Sequence, residues 1–369
     1  MRIGILTFHA AQNYGAVLQC FALQTYLESM GHEVMVVDYR SPYLLHDYRV
    51  FDLKRFLSPN PLRCLRKMRR ENRLLPLRKR RGAAFESFVA RHLHLCPVNS
   101  IHEHPFDVIF VGSDQVWNTR LTGGFDQYYW GDFTRPKQTV LASYAASMED
   151  NPTDEKCREI ARRLENFSYI SVREKTLARL LSEKCGKEIG YAVDPTLLVG
   201  SQTWSQLAGE RMVKEDYVFL YEVNPLPKAE QLAADIAKAT GKRLITLSSL
   251  LTLHDTKQSA ASSPITFLNL FKYADVVVAA SFHGTVFSLV FSKPFVSVKA
   301  NNGKDGRTAN LLASVGLSHR FVDHLDASQL EQLLAENSAV NLDTQERQQS
   351  VDYIRKIVGT RRAALKLDN

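Results

Sequence analysis

The chain has 369 residues, of which 45% are apolar and 23% charged, with a formal net charge of +8. That length suits two globular domains with real cores, and no run reaches the ~20 apolar residues needed to cross a bilayer. Five cysteines, odd in number and without a CxxC pair, fit neither a disulfide framework nor a zinc site.

In chain order, Ile3–Phe8 is a short apolar run that reads as a strand rather than a signal peptide, so a cytoplasmic location is expected. Ala16–Met30 has helical spacing, Gly31 ends it, and Glu33–Tyr39 is β-rich, which makes a βαβ unit. Most of the basic excess lies between Lys54 and Arg81, where Leu62, Leu65, Met68, Leu74, Leu75 and Leu77 are interleaved with the cations. Such a segment is either a solvated helix face or mobile loop, or a surface for an anionic partner. An anionic membrane fits its amphipathic pattern, whereas nucleic acid is disfavoured because aromatics for base stacking are missing there. Gly82–Leu95 reads as helix and Phe106–Gly112 as a buried strand; Val140–Ala146 and Tyr169–Val172 are further strands around the helix Thr153–Asn166. Lys175–Cys185 is helical, and the polar stretch Gly200–Asp216 marks the domain boundary, which gives domains 1–200 and 201–369. The second half repeats the alternation, with strands Tyr217–Val223, Arg243–Leu247, Val276–Ala280 and Phe295–Val298. Its helices are Pro227–Thr240, Pro264–Ala274, Thr285–Ser292, Arg307–Val315 and Ala327–Glu336. A last charged helix, Thr344–Leu365, is placed to cross back onto the first domain. Alternation of this kind predicts two doubly wound, Rossmann-like α/β domains facing a cleft, with ligands beyond the carboxyl ends of parallel strands.

Four loops follow predicted strands and carry chemistry. His9–Ala16 opens a helix, and there Asn13, Tyr14 and Gly15 can hold a polar ligand at free backbone N–H groups, unless Asn13 only caps the helix. Lacking GxGxxG, this loop is not a dinucleotide fingerprint. In Gly112–Asn118, Ser113, Asp114 and Gln115 offer hydroxyl-binding groups, Asp114 a base, and Trp117 a flat face for a pyranose; the plain alternative is an Asp114 cap and a Trp117 core anchor. Arg173 leaves an apolar strand, paired either by Glu174 or by a bound phosphate or carboxylate. Ser281, His283 and Gly284 open a largely apolar helix, a good anion site, and Lys304 and Arg307 precede the next helix and add charge. No metal is expected.

The ordered set Asn13–Gln19, Gly112–Asn118, Ser171–Glu174, Asp194–Leu198 and Ser281–Thr285 resembles the polysaccharide pyruvyl transferase family over about Ile3 to Arg307. The resemblance implies a GT-B-like fold and transfer of pyruvate from phosphoenolpyruvate, as co-substrate, to a saccharide as a cyclic ketal, without a cofactor. It places the donor on Arg173 and on an Arg-x-His motif of which His283 is the histidine. Ser281 departs from that motif's arginine, and Arg307 or Lys304 are the candidates for the missing charge. His283 is then the general acid and Asp114 the base at the acceptor. The basic segment 54–81 suits a lipid-linked acceptor and a peripheral position at the inner face of the membrane. Two other readings stay open: a nucleotide-sugar glycosyltransferase of the same fold, and a saccharide-binding relative without catalysis.

Overall fold

The computed structural model describes residues 1–46, 61–103, 105–148, 152–248, 262–301, 303, 305–336 and 339–367. Lys304 and the start of the basic segment, Lys54 and Arg55, lie outside them. The chain divides into two compact units, one made of Met1–Tyr48, Val89–Val199 and Gln345–Asn369, the other of Arg49–Phe88 and Gly200–Thr344.

In the first unit five parallel strands lie in the order β3-β2-β1-β4-β5: β1 (Arg2–Leu6), β2 (Glu33–Asp38), β3 (Leu95–Pro97), β4 (Val108–Val111) and β5 (Val140–Ser143). Strands covered on both faces need continuous apolar runs, and all of Val108–Val111 is buried. The helix Tyr14–Ser29, capped by Asn13, fills one β1–β2 crossover and is buried over most of its circumference. Beside it the short parallel pair β6 (Ser171–Val172) and β7 (Gly190–Tyr191) is linked to β5 and the residues after it by single bridges at Ala142–Tyr169 and Ala146–Val172. The core sets Leu6, Val37, Ile109, Val111 and Leu141 against Ile160, Leu164 and Phe167.

The second unit repeats the plan in the order β12-β11-β10-β8-β9, again all parallel: β8 (Tyr217–Glu222), β9 (Arg243–Ser248), β10 (Val276–Ala280), β11 (Phe295–Val298) and β12 (Phe321–Val322). One face packs Val218, Leu220, Val276, Val278 and Val296 on Leu232 and Ile236 of the helix Pro227–Thr240. Elsewhere in the unit Phe267 meets Tyr221, Phe271 and Phe287 edge to face, with ring centroids 4.8–5.5 Å apart, the spacing that aromatic quadrupoles favour. The expected α/β class, with two doubly wound parallel sheets, is thus what the chain adopts.

Two local readings differ. The basic segment and the helix expected at Gly82–Leu95 are parts of one 32-residue helix, Pro61–His92, with Pro76 inside it. Leu95 begins β3 instead of ending a helix. Among the described residues no helix is long and apolar enough to cross a membrane.

Candidate functional site

A doubly wound sheet binds ligands outside the carboxyl ends of its strands, where the strand order reverses. In the first unit that point lies between β1 and β4. The loops leaving these two strands are tied together: Thr7 Oγ1 donates to the Ser113 carbonyl at 2.9 Å and accepts from Gln19 Nε2 at 2.9 Å. His9, fully buried, stands 2.9 Å from Asp38 Oδ1 through Nε2 and 3.3 Å from the Thr7 carbonyl through Nδ1. The hydrogen bond from His9 is the main cause that holds the Asp38 carboxyl down at about 2, against partial burial and with help from Arg40 Nε at 2.7 Å. Asn13 is occupied as a cap, accepting from the Ala16 N–H at 3.3 Å, and Tyr14 and Gly15 are buried.

The loop after β4 depends on Gly112. Its φ is +113°, and a Cβ there would lie 2.4 Å from the Tyr144 carbonyl oxygen, so no other residue fits without moving backbone. Ser113 is buried; Asp114 takes a left-handed backbone (φ 72°) and accepts from the Gln115 N–H at 2.8 Å. Short polar side chains tolerate that region because they hydrogen-bond locally. Trp117 does not offer the face expected of it. It is fully buried, stacked on Trp130 with centroids 4.9 Å apart and edge-on to Phe167, and its Nε1 donates to the Tyr129 carbonyl. The indole anchors the loop in the core, the plainer of the two sequence readings.

Arg173 follows β6 and is buried to 2% side-chain exposure. Its partners are Asp194 (Nη1–Oδ2, 2.6 Å), Asp114 (Nη2–Oδ1, 3.6 Å) and Glu174 (Nε–Oε1, 3.8 Å). Burial by itself would lower its pKa, but Asp194, then Asp114 and Glu174, outweigh burial and raise it. Each carboxylate is held in turn. Asp194 Oδ1 accepts from the Thr196 N–H and hydroxyl, Glu174 Oε1 accepts from Ser147 Oγ at 2.8 Å, and Asp114 Oδ1 accepts from the Gln115 N–H at 2.8 Å. Asp114 and Glu174 keep 17% and 11% side-chain exposure, whereas Asp194 has none. Asp114 and Glu174 thus set two partly exposed carboxylates at this edge, groups suited to hydroxyl ligands.

In the second unit the order reverses between β8 and β10. Ser281 caps the helix Phe282–Val290, its Oγ accepting from the Gly284 N–H at 3.0 Å. The helix therefore begins earlier than its apolar run suggests, and places half-buried His283 in its first turn, edge-on to the Phe282 ring at 5.3 Å. Gly284 is required by packing: a Cβ would lie 2.9 Å from Ser281 Oγ, 3.0 Å from Tyr221 Cδ1 and 3.1 Å from Ala279 Cβ. Arg307, in the first turn of the helix Gly306–Ser314, sets its guanidinium 5.5 Å from the Phe282 centroid. Cation, imidazole and helix N-terminus are thus gathered around Phe282, an arrangement that favours a small anion.

Ser113, Asp114, Gln115 and Arg173 are gathered at one edge; Ser281, His283, Gly284 and Arg307 are gathered at the other; Arg173 and His283 belong to different units. Two residues were missed. Asp194, 21 residues from Arg173 and part of a quoted motif, is that arginine's shortest ion-pair contact. Glu222 ends the otherwise apolar strand β8, is buried, and accepts from Ser248 Oγ at 2.8 Å and the Leu226 N–H at 3.0 Å; a lone acid closing an apolar strand was its signal. Among the described residues no group of three His, Cys, Asp or Glu side chains could hold a metal ion.

Among solved structures the chain is similar to UDP-GlcNAc 2-epimerase from Methanocaldococcus jannaschii, at 12% identity over 98% of this chain and 100% of that one, with a TM-score of 0.50. The same enzyme in complex with UDP-GlcNAc and UDP matches at 12% identity over 97% and 99%, also at 0.50. The Streptomyces sp. SF2575 glycosyltransferase SsfS6 matches at 16% identity over 98% and 96%, with a TM-score of 0.33. No curated protein matches. At such identities the likeness concerns the fold alone. The family model for polysaccharide pyruvyl transferase matches residues 13–302. With Gly112–Asn118, Arg173 and the Ser281–Thr285 helix start inside that match, the chain belongs to the polysaccharide pyruvyl transferase family.

Proposed function

We infer that the protein transfers pyruvate from phosphoenolpyruvate to two hydroxyls of a saccharide, releasing phosphate and leaving a cyclic ketal. The observation that carries the reading is the start of the helix Phe282–Val290, where the His283 ring lies 5.3 Å and the Arg307 guanidinium 5.5 Å from the Phe282 ring. Phosphoenolpyruvate is small and highly anionic, so a helix N-terminus with an arginine and an imidazole suits it. Ser281 stands where the family's arginine is expected, and Arg307 supplies the guanidinium from the neighbouring helix. The acceptor belongs to the Asp114–Arg173 edge, where the partly exposed carboxylates of Asp114 and Glu174 accept sugar hydroxyls.

The chemistry balances as follows. Protonated His283 gives its proton to the methylene carbon, and the adjacent carbon becomes an oxocarbenium-like centre. One sugar hydroxyl adds there while Asp114 takes its proton. The carbon–oxygen bond to phosphate then breaks, phosphate leaves with the electron pair and takes up the proton that Asp114 accepted, and the second hydroxyl closes the ketal as its proton returns to His283. Fixed charges around such a centre are usually the largest catalytic contribution. The acceptor we assign is a lipid-linked saccharide of cell-surface polysaccharide biosynthesis, used at the inner face of the membrane.

The test is phosphate release from phosphoenolpyruvate with galactose- and mannose-containing lipid-linked acceptors. Acceptor-dependent release, lost in His283→Ala and strongly reduced in Arg307→Ala, is the expected result. A folded protein that releases phosphate with none of these acceptors, yet binds a nucleoside diphosphate, would sink the reading in favour of a nucleotide-sugar donor.

A further inference from the structure

The helix Pro61–His92 has two faces of opposite character. Leu74, Arg81, Phe85 and Phe88 recur at spacings of three, four and seven and are buried, and Arg81 Nη1 donates to the Ser248 carbonyl. Leu65, Met68, Asn72, Pro76 and Lys79, also three or four apart, form a separate stripe that is exposed. Arg69, Arg73 and Arg80 run beside that stripe and are exposed too. Leu65 and Met68 are 46% and 44% exposed, one turn apart, and are two of the six exposed large hydrophobics among the described residues.

We propose that this outward stripe docks on an anionic lipid bilayer. The cations meet lipid phosphates, Leu65 and Met68 enter the headgroup boundary, and the helix lies in the plane of the surface. The sequence pattern alone does not assign this stripe, because Leu74, one of the interleaved leucines, faces the core. Charge complementarity selects an anionic surface, and the two aliphatic side chains within the basic face select a bilayer over a polyanion. A nucleic acid would use the arginines but gain nothing from Leu65 and Met68, and the stripe has no aromatic on which a base could stack. The proposal goes beyond the transferase reading and does not depend on it: a protein inactive on every acceptor would still bind vesicles.

The experiment is sedimentation of the full chain with phosphatidylglycerol–phosphatidylcholine vesicles, against pure phosphatidylcholine vesicles, at low and high salt. The wild type should sediment with the anionic vesicles only, and less at high salt. Each basic residue at such a surface contributes roughly fivefold in partitioning. The triple variant Arg69→Gln/Arg73→Gln/Arg80→Gln should therefore bind on the order of 100-fold more weakly. Leu65→Ser/Met68→Ser should lose the part of the binding that survives high salt. All substituted side chains are exposed, and matching far-ultraviolet dichroism confirms that the variants fold. No binding to anionic vesicles overturns the proposal, as does a triple variant that binds like the wild type. A Leu65→Ser/Met68→Ser variant unchanged on vesicles, with equal binding of the wild type to a DNA duplex, overturns it in favour of a general polyanion site.

Discussion

A guanidinium at 2% side-chain exposure has to be matched by charge, and Arg173 is matched by Asp194, Asp114 and Glu174. To hold the donor it would have to exchange a 2.6 Å contact for a phosphate or carboxylate; where it stands, it orients Asp114 and Glu174. The two roles separate kinetically. If Arg173 positions the base, Arg173→Lys, which keeps the charge but loses the fork geometry, lowers kcat by about tenfold to a hundredfold with the KM for phosphoenolpyruvate little changed. A rise in that KM at unchanged kcat would return Arg173 to the donor. Asp38 gives a prediction of a different kind. Its folded-state pKa, held at about 2 first by His9, lies below the roughly 3.9 of an unfolded chain. Its contribution to stability is therefore complete above about pH 4 and is lost as pH falls through the folded value. Asp38→Asn should flatten the acid limb of a denaturation profile between those limits and be less stable than wild type at neutral pH. Neither arrangement was legible residue by residue. Arg173 and Glu174 are sequence neighbours, so their pairing could be read, but Asp194 and Asp38 reach Arg173 and His9 only through the fold.

Elements built on continuous apolar runs were legible, because a parallel strand buried on both faces leaves no polar position to confuse its period. Val108–Val111 and Val276–Ala280 sit within or at the expected ranges for that reason. The long helix was not legible as one element, because the density of cations sets the residues up to Arg81 apart from Gly82–Leu95; yet Pro76 is exposed and the buried stripe continues past it at Arg81 and Phe85. The start of the helix Phe282–Val290 was missed by three residues because Phe-His-Gly looks like loop, and only the Ser281 cap reveals the added turn. That turn is tightly packed. Gly284→Ala sets a methyl 3.0 Å from Tyr221 Cδ1 and 3.1 Å from Ala279 Cβ, closer than side chains in a packed core ordinarily approach. Overpacking of this kind costs about 1–3 kcal/mol, which urea denaturation would register. Since the same turn carries His283, phosphoenolpyruvate affinity measured by calorimetry should fall with it; a variant as stable as wild type would show that the turn relaxes freely.

At the scale of the molecule, both units are assembled from separated stretches of chain. The first includes the helix Gln345–Leu367, which buries Val351, Ile354, Ile357 and Val358. Tyr353 donates to the Ser143 carbonyl at 2.8 Å, Ser350 Oγ accepts from the Val193 N–H at 2.9 Å, and Arg347 donates to the carbonyls of Leu197 and Leu198. The pattern of strands and helices made the class legible, whereas these long-range bonds belong to no local pattern. Ile354→Ala, at a site with no exposure, should cost about 2–5 kcal/mol. A chain stopped before residue 345 should lose the cooperative unfolding of the first unit, followed by tryptophan fluorescence from the buried Trp117–Trp130 pair. Unchanged emission in that truncated chain would contradict the account.

The same assembly sets an order on the ribosome. Strands β8 to β12 and the helices between them emerge as one stretch, so the second unit can close its sheet while synthesis continues. The first unit, whose strands precede those of the second in the chain, stays unsealed until 345–367 have left the exit tunnel. The surface that Val351, Ile354, Ile357 and Val358 cover in the finished fold therefore stays open throughout synthesis of the second unit, and is a place where a chaperone would act.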